Sequence, residues 1–291
     1  MKEKVNTITR RTFFQVAAVG AAGLSLTKAA EQAPADQPKR RIQQSFTWGT
    51  FIRKGVDPAA AIKEAAKTGY TSIEMGPQDY WQAIRDAGMS IAIFVGHKSL
   101  KDGLNDKKNH DRIEQELLAS LDLAVKFGIP SLLCLSGNRG GKSDEEGLEN
   151  TVACLKRVIN SAEDKKIALC LELLNSKVDH PDYQCDRTSW GVEVCKRVNS
   201  PAMKLLYDIY HMQIMEGDLI RTIRSNIQHF GHFHTAGNPG RNDLNETQEI
   251  FYPAVMRAIA DAGYRGFVGH ELSPKGDPLE AMRKTFKLCD V

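Results

Sequence analysis

From residue 42 onward, short apolar runs typical of buried strands alternate with amphipathic segments typical of helices. Eight such runs occur, at residues 42–51, 71–76, 90–97, 131–138, 167–175, 204–210, 227–235 and 266–272. Each is followed by a helical pattern, and Asp57 before Pro58 supplies a helix N-cap with proline in the first turn. Eight βα units in about 250 residues predict a single-domain α/β protein, the (β/α)₈ TIM barrel, over residues 42–291.

An open, doubly wound sheet is the alternative arrangement for alternating strands and helices. A dinucleotide-binding member of that class would carry the pattern G-x-G-x-x-G after an early strand, and the sequence contains none. The barrel is therefore favoured, and its active site is expected at the C-terminal ends of the strands.

The N-terminal segment is predicted to be a targeting sequence rather than part of the fold. It contains Arg10 and Arg11, then an apolar run over residues 16–26, then small residues that offer cleavage near Ala29 or Ala35. The apolar run is too short to span a bilayer as a helix. The order of these regions resembles a bacterial twin-arginine (Tat) signal, and a disordered tail is the alternative.

We therefore assign residues 1–35 to a signal peptide and linker, and expect export by the Tat pathway to the periplasm or the outside of the cell. No stable membrane anchoring is expected once the signal is removed. The sequence leaves open whether the mature protein forms a homo-oligomer.

The charge of the chain argues against a polyanionic partner. The formal net charge is +3, but the first thirty residues hold five basic residues against one acidic residue, so the remainder carries a net charge of −1. A near-neutral body gives no electrostatic reason to expect nucleic acid or an anionic membrane as a partner. A small-molecule partner, a keto-acid or a sugar, is expected instead.

Six cysteines occur in the chain, and none forms a C-x-x-C pair. Cys134 and Cys170 lie within apolar strand-like runs and are expected to be core thiols. Cys185 and Cys195 could pair in an exported protein, and the sequence leaves this open.

Ionisable side chains appear near the ends of the last four predicted strands. They are Glu172, Asp208, His234 and Glu271. Alternation along each strand allows all four to face the barrel axis while their immediate neighbours face the helices. A buried carboxylate is unfavourable unless it is paired or bound to a cation. Unrelated polar residues at strand ends are the alternative, but four on adjacent strands favour a shared metal ion.

Three carboxylates and one imidazole make a set of donors that is mostly oxygen. Such a set suits Mg²⁺ or Mn²⁺ better than zinc, and the imidazole favours Mn²⁺ slightly.

Four motifs carry a family resemblance that covers residues 42–290. They are LELLN at 171–175, YDIYHMQ at 207–213, GHFHTAGNPGR at 231–241 and GHE at 269–271. With these motifs the chain resembles the sugar isomerase/epimerase barrels, which are similar to xylose isomerase and endonuclease IV, and among them the hydroxypyruvate isomerases. The resemblance implies that Glu172, Asp208, His234 and Glu271 bind the metal and that His211 and Arg241 contact the substrate.

The chain departs from this family pattern in two ways. Some hydroxypyruvate isomerases have glutamine at the third ligand position, whereas this chain has His234, as ketose 3-epimerases do. The familiar hydroxypyruvate isomerases are also cytoplasmic, whereas this chain carries an export pattern.

The chemistry of an aldose–ketose isomerase requires a proton to leave the carbon next to a carbonyl and to return to the adjacent carbon through an enediolate. It therefore requires a Lewis acid and a base within reach of the carbon-bound proton. Glu172 and Glu271 are predicted to be the catalytic pair, one removing the proton and the other returning it. Arg241 could hold a substrate carboxylate with two hydrogen bonds, which favours hydroxypyruvate and its isomer tartronate semialdehyde.

Other polar residues near strand ends are weaker candidates. Glu74, at the end of the second predicted strand, is a candidate for a hydrogen bond to substrate or to Arg241. His97, at the end of the third, is a candidate for substrate contact, with structural capping as the alternative. His232 is expected to lie in a second layer beneath His234, and His270 is expected to face the helices.

Two other functions remain open from the sequence. One is a ketose 3-epimerase, or a lyase or isomerase of oxidised sugars such as 3-keto-glycosides, at the same metal site. The other is an exported sugar-binding module without catalysis, which the paired glutamates disfavour because binding alone needs no flanking bases. A nuclease like endonuclease IV would need more histidines for several zinc ions and a basic groove.

Overall fold

A curled sheet of parallel strands forms the centre of the computed structural model, which describes residues 40–53 and 55–291. The described residues form seven strands: β1 Gln43–Phe46, β2 Ile93–Val95, β3 Ser131–Cys134, β4 Ala168–Leu173, β5 Met203–Asp208, β6 Phe230–Thr235 and β7 Phe267–His270. Their order in the sheet is β1-β7-β6-β5-β4-β3-β2, and every pairing is parallel.

Residues 71–75, which we call the closing segment, join the two edges of this sheet. On one side the amide of Glu74 donates to the carbonyl of Phe46 in β1 at 2.8 Å, and on the other the amide of Ile73 donates to the carbonyl of Ser90 at 3.1 Å. The closing segment pairs through isolated bridges rather than a continuous ladder. It occupies the position of the second predicted strand, and the prediction of a (β/α)₈ TIM barrel is confirmed.

Helices follow the strands and cover the outside of the barrel. They are α1 Trp48–Phe51, α2 Pro58–Thr68, α3 Trp81–Asp86, α4 His110–Phe127, α5 Asp144–Lys165, α6 Thr188–Val198, α7 Ile209–Met215, α8 Leu219–Asn226, α9 Tyr252–Asp261 and α10 Pro278–Cys289, with short 3₁₀ turns at Gln78–Tyr80, Lys107–Asn109 and Ile227–His229. The predicted cap of α2 is confirmed, because the Asp57 carboxylate accepts the amide of Ala60 at 2.9 Å.

All seven strands of the described residues are shorter than the apolar runs that predicted them, and three of them illustrate the difference. The first ends at Phe46, and residues 48–51 form α1 instead. The sixth ends at Asp208, whose carboxylate accepts the amide of His211 at 3.1 Å and so caps α7. The seventh begins at Phe230 after a 3₁₀ turn. In the first two cases the apolar run continues into a helix with buried residues, so the run is longer than the strand, whereas the turn before the seventh strand is partly exposed.

The interior of the barrel has an apolar side and a polar side. Ile93, Leu133, Cys170 and Leu206 form a small apolar cluster separate from the main core between strands and helices. The opposite side carries buried polar residues, among them Ser45, Glu74 and His232. Buried polar groups need partners, so this side requires an explanation beyond packing.

Three further expectations concern the cysteines, membrane-spanning helices and the N-terminal signal. In the described part of the chain all six cysteines are buried and free, so Cys185 and Cys195 are not paired. No helix within residues 40–53 and 55–291 is long and apolar enough to cross a membrane. The predicted Tat signal lies outside the described residues.

Candidate metal centre

Four side chains converge at the C-terminal ends of strands β4 to β7. They are Glu172, Asp208, His234 and Glu271, and each offers a ligand atom within 4.8 Å of the ligand atoms of the others. The Nδ1 atom of His234 lies 3.0 Å from Oε2 of Glu271 and 3.6 Å from Oε1 of Glu172. The structure thus brings together the four residues that the sequence predicted to share a cation. We call them the ligand cluster.

The register of the parallel strands produces this convergence. Asp208 of β5 lies directly beside His234 of β6, and His234 lies beside Gly269 of β7. Glu271 follows Gly269 by two residues and therefore faces the same side of the chain. Each of the four ligand candidates thus lies two residues after an interior residue at the end of its own strand.

The ligand cluster passes a test of fit for a divalent cation. Among the described residues, Oδ2 of Asp208 and Nδ1 of His234 are buried without a hydrogen-bond partner, although Glu271 lies close to the ring. An unpartnered buried polar atom typically costs about 1–3 kcal/mol. A cation held by three carboxylates and an imidazole would satisfy both atoms, and Mg²⁺ and Mn²⁺ favour such a donor set.

The local electrostatics favour positive charge at the same point. Burial alone would lower the pKa of His234, but the carboxylates of Glu172, Glu271 and Glu74 around the ring raise it well above its ordinary value. Burial raises the pKa of Asp208. Both pKa shifts therefore indicate that added positive charge is favourable at this point.

The two candidate catalytic glutamates have different environments. Burial raises the pKa of Glu172, and the neighbouring Glu271 carboxylate adds to this effect. Burial would also raise the pKa of Glu271, but the His234 ring and the Arg241 guanidinium lower it to about 2. Two carboxyl groups whose pKa values are pushed apart are suited to different proton-transfer roles. Glu271 is the more readily ionised of the two.

Arg241 lies in the loop after β6, at the edge of the cluster. Its Nη2 atom is 2.8 Å from Oε2 of Glu271 and 3.7 Å from Oδ2 of Asp208. Its side chain is 26% exposed, whereas Asp208 is almost fully buried. The guanidinium therefore lies between the cluster and solvent, where a substrate carboxylate could approach it.

His211 lies in the first turn of α7, beside the cluster. Its Nε2 atom is 3.7 Å from Oδ2 of Asp208 and, among the described residues, has no hydrogen-bond partner. Its Nδ1 atom is 2.6 Å from Nδ2 of Asn175, and Oδ1 of Asn175 accepts the amides of Val178 and Asp179, which fixes the orientation of the asparagine. Nδ1 of His211 is therefore the acceptor, and Nε2 carries the proton.

Burial lowers the pKa of His211 well below its ordinary value, so the ring is a neutral donor that faces the cluster. The sequence reasoning missed the role of Asn175. Its position at the end of the LELLN motif, two residues after the buried strand β4, was the available signal.

Two residues predicted to contact substrate lie elsewhere in the structure. Glu74 is fully buried, and its carboxylate contacts the rings of His232 and His234 rather than Arg241. The Nε2 atom of His97 accepts the amide of Leu135 at 2.9 Å, which ties the end of β2 to the end of β3. The described contacts of both residues are therefore structural or lie beneath the cluster.

His232 and His270 lie where the sequence predicted. His232 is buried beneath His234, with the two ring centroids 5.1 Å apart. His270 faces away from the cluster, and its ring nitrogens are 2.7 Å from Oγ1 of Thr235 and 3.0 Å from Oε1 of Gln44.

Comparison with known families places this architecture. Residues 62–289 match the model of a family described as the xylose isomerase-like TIM barrel. The chain belongs to this family. Active sites of TIM barrels are expected at the C-terminal ends of the strands, and the ligand cluster lies there.

Individual relatives indicate the class of reaction. The chain is 25% identical over 242 residues to a human protein named putative hydroxypyruvate isomerase, covering 77% of this chain and 86% of the relative. It is also 25% identical over 233 residues to a 2-oxo-tetronate isomerase of Pectobacterium atrosepticum, covering 74% of this chain and 86% of the relative. These relatives identify an enzyme of the isomerase class.

Solved structures share the fold. One is the 3-keto-D-glucoside 4-epimerase of E. coli, with a TM-score of 0.70 and 15% identity, covering 86% of this chain and 99% of the other. At this identity the likeness concerns the barrel and not the substrate.

Proposed function

We propose that this xylose isomerase-like barrel is a divalent-metal-dependent isomerase that interconverts hydroxypyruvate and tartronate semialdehyde through an enediolate. The observation that carries the proposal is the ligand cluster, in which two glutamates of different pKa flank the candidate cation position. The relatives named for hydroxypyruvate and 2-oxo-tetronate isomerisation support the same reaction class.

The ligand cluster is the place where the metal would be held. Glu172, Asp208, His234 and Glu271 are the residues that would hold it, and Mn²⁺ or Mg²⁺ is the expected ion. When bound, such an ion acts as a Lewis acid that stabilises the negative charge developing on the substrate oxygens.

The proton transfers are assigned to the two glutamates. In the forward direction a proton leaves C3 of hydroxypyruvate, one returns at C2, and a hydroxyl hydrogen moves from the C3 oxygen to the C2 oxygen. Glu172 and Glu271 flank the candidate cation position, and one of them removes the carbon-bound proton while the other delivers a proton to the adjacent carbon. The Nε2 proton of His211 faces the same space and is available to a substrate oxygen.

Arg241 is the residue that favours an acidic substrate. Its guanidinium is partly exposed at the mouth of the cluster and can pair with a carboxylate through two parallel hydrogen bonds. In the described contacts it pairs with Glu271, which shows that it can reach a carboxylate at this point. Hydroxypyruvate offers such a carboxylate beside the reacting carbons, whereas a neutral ketose does not.

A substrate screen tests the proposal. Chelator-treated protein is reloaded with Mn²⁺ or Mg²⁺ and incubated with hydroxypyruvate, ketohexoses or 3-keto-glycosides, and the products are identified by NMR. We expect metal-dependent formation of tartronate semialdehyde, and no turnover in the chelated control. Turnover of sugars alone, with none of hydroxypyruvate, would overturn the substrate assignment.

A ketose epimerase, or an enzyme acting on 3-keto-glycosides, is the second candidate. It is favoured by His234, since an imidazole at the third ligand position is the feature that this chain shares with ketose 3-epimerases rather than with the glutamine-bearing hydroxypyruvate isomerases. The same pair of glutamates would serve it, with removal and return of the proton on opposite faces of one carbon. Inversion at one carbon, without carbonyl migration, would distinguish it in the screen.

A further inference from the structure

Glu74 crosses the barrel interior beneath the ligand cluster. It comes from the closing segment and is fully buried. Its Oε2 atom lies 3.1 Å from Nε2 of His234, and its Oε1 atom lies 3.0 Å from Nε2 of His232. Oε1 also accepts a hydrogen bond from the hydroxyl of Ser45. The carboxylate is thus held by groups from β1 and β6 while its own backbone lies between β1 and β2.

Strand β7, which lies beyond β1 from the closing segment, leaves room for this carboxylate. A Cβ atom at Gly269 of β7 would come within 2.6 Å of Oε1 of Glu74. Gly269 lies beside Ser45 on one side and beside His234 on the other. Since the backbone of Gly269 is not in the left-handed region, the glycine serves the space and not the conformation. The niche is therefore shaped for a carboxylate that reaches His234.

The position of Glu74 relative to the ring of His234 is what matters for function. The two nitrogens of His234 face opposite directions: Nε2 toward Glu74, and Nδ1 toward Glu172 and Glu271. A neutral imidazole has one protonated nitrogen and one free lone pair, and the hydrogen bond at one nitrogen decides which is which. A carboxylate at Nε2 can only accept, so it places the proton there and leaves the lone pair on Nδ1.

We propose that Glu74 is a positioning residue for the metal centre, which fixes His234 in the tautomer and orientation that present the Nδ1 lone pair to the ligand cluster. The inference rests on the proposed metal site. Metal-binding histidines commonly donate their other ring N–H to a carboxylate, which fixes the ring and raises its basicity. Ser45 donates a hydrogen bond to the other oxygen of Glu74, and Nε2 of His232 lies 3.0 Å from that oxygen.

An alternative use of the same residues is a second metal site, because Glu74, His232 and His234 also lie close enough to share an ion. That trio supplies three ligands, is almost fully buried, and uses the nitrogen of His234 that faces away from the larger cluster. The hydrogen bond between Nε2 of His234 and Oε2 of Glu74 satisfies both of these atoms without an ion. The positioning role therefore accounts for the geometry with fewer components.

The wild-type protein allows a direct test that needs no substitution. Protein labelled with ¹⁵N-histidine is loaded with Zn²⁺, a diamagnetic probe, and the ring nitrogens of His234 are observed by NMR. We expect the shift of a metal-bound nitrogen at Nδ1 and a protonated nitrogen at Nε2. Zn²⁺ bound through Nε2, or a protonated Nδ1 in the loaded protein, would overturn the proposal.

Affinity measurements on variants give an independent test. In Glu74→Gln the Mn²⁺ dissociation constant should rise by about 10- to 100-fold, the range typical for loss of such a partner. His97→Gln is the matched control, since it alters a buried histidine that is bonded to the backbone away from the cluster. A purely structural role would lower the melting temperature of both variants and leave both dissociation constants unchanged, which would contradict the proposal.

Two further variants keep the result interpretable. Gly269→Ala displaces the Glu74 carboxylate without removing a polar group, and it should weaken Mn²⁺ binding if Glu74→Gln does not fold. Asp208→Ala removes a proposed ligand. If Asp208→Ala binds Mn²⁺ as the wild type does, the metal-site proposal has failed. If it loses Mn²⁺ while Glu74→Gln and Gly269→Ala keep wild-type affinity, the positioning role alone has failed.

Discussion

At the scale of single residues, burial and charge give chemically identical side chains different tasks. Glu172 and Glu271 are both at strand ends and both face the cluster, yet the pKa of one is raised and that of the other is lowered. The difference arises because the His234 ring and the Arg241 guanidinium lie close to Glu271, whereas Glu172 lies deeper among carboxylates. Glu74, a third glutamate, contacts imidazoles and not the substrate space.

The first prediction concerns the two proton-transfer glutamates. Glu172→Gln and Glu271→Gln keep the shape of the side chain and one oxygen that can bind a metal, but they remove its basicity. General acid–base catalysis typically contributes about 10² to 10⁴-fold, so each variant should lose turnover by that order. The measurement is steady-state turnover together with bound metal in the same samples. Near-normal turnover with metal bound in both variants would mean that the bases lie elsewhere.

The second prediction concerns pH and His97. Burial lowers the pKa of His97 to about 4, below the value of about 6.5 in an unfolded chain. The unfolded state therefore binds more protons between these values, and the stabilisation is complete above pH 6.5 and lost as the pH falls toward 4, by up to about 1.4 kcal/mol per pH unit.

Urea unfolding of metal-free wild type and His97→Gln at pH 7.5 and pH 5 checks this expectation. The advantage of the wild type in unfolding free energy should shrink at pH 5. An advantage that is the same at both pH values would contradict the assignment of a neutral, buried imidazole.

At the scale of elements, the loops above the strands pack closely against one another. The amide of Asn105 donates to the carbonyl of Ser136 at 2.8 Å, which joins the loop after β2 to the loop after β3. Gly103 lies at this contact, where a Cβ atom would come within 2.3 Å of the amide nitrogen of Gly137. The close approach of two backbones requires a residue without a side chain.

The third prediction follows from this contact. Gly103→Ala should lower the free energy of unfolding by about 1–3 kcal/mol, as overpacking commonly does, because backbone atoms cannot move aside as a flexible side chain can. Gly276→Ala is the matched control, since a Cβ atom there meets no atom within 4 Å. Denaturant unfolding of both variants is the measurement. Equal stability of the two would show that the loops adjust without loss.

The element scale also explains which parts of the site could be predicted from the sequence. Glu172, Asp208 and His234 lie at the ends of buried strands with period-two alternation. Their common direction depends on local sequence and could therefore be predicted. The direction of Glu74 is not local. It depends on the closing segment lying between β1 and β2, and on the space that Gly269 leaves on β7.

The role of His97 could not be settled from the sequence for a similar reason. A histidine at the end of a strand can face the active site or tie two strand ends together, and only the neighbouring strand decides. Here the amide of Leu135 donates a hydrogen bond to the Nε2 atom of His97. The first strand was drawn too long because the buried residues Thr50 and Phe51 of α1 extend its apolar pattern.

At the scale of the whole molecule, residues 40–291 form one compact unit. A barrel with a preassembled ligand cluster can in principle acquire its metal before it leaves the compartment where it folds. The N-terminal sequence resembles a Tat signal, and the Tat pathway carries proteins that are already folded. We propose on this basis that the enzyme acts in the periplasm or outside the cell.

The fourth prediction tests this location. Mass spectrometry of the protein isolated from its native host should show a mature N-terminus after Ala29 or Ala35, in the periplasmic or extracellular fraction. Arg10→Lys together with Arg11→Lys should retain the precursor in the cytoplasm, since the paired arginines are what the export receptor reads. A cytoplasmic protein that begins at Met1 would contradict the proposal.

The central claim is that one divalent cation binds Glu172, Asp208, His234 and Glu271, and equilibrium dialysis with Mn²⁺ tests it most directly. Asp208 is the ligand to change, because its Oδ2 atom is buried beside the cluster without a hydrogen-bond partner among the described residues. The account predicts one Mn²⁺ per chain in the wild type and a clear loss of bound Mn²⁺ in Asp208→Ala, with the barrel still folded. Full occupancy of Asp208→Ala at unchanged affinity would contradict it.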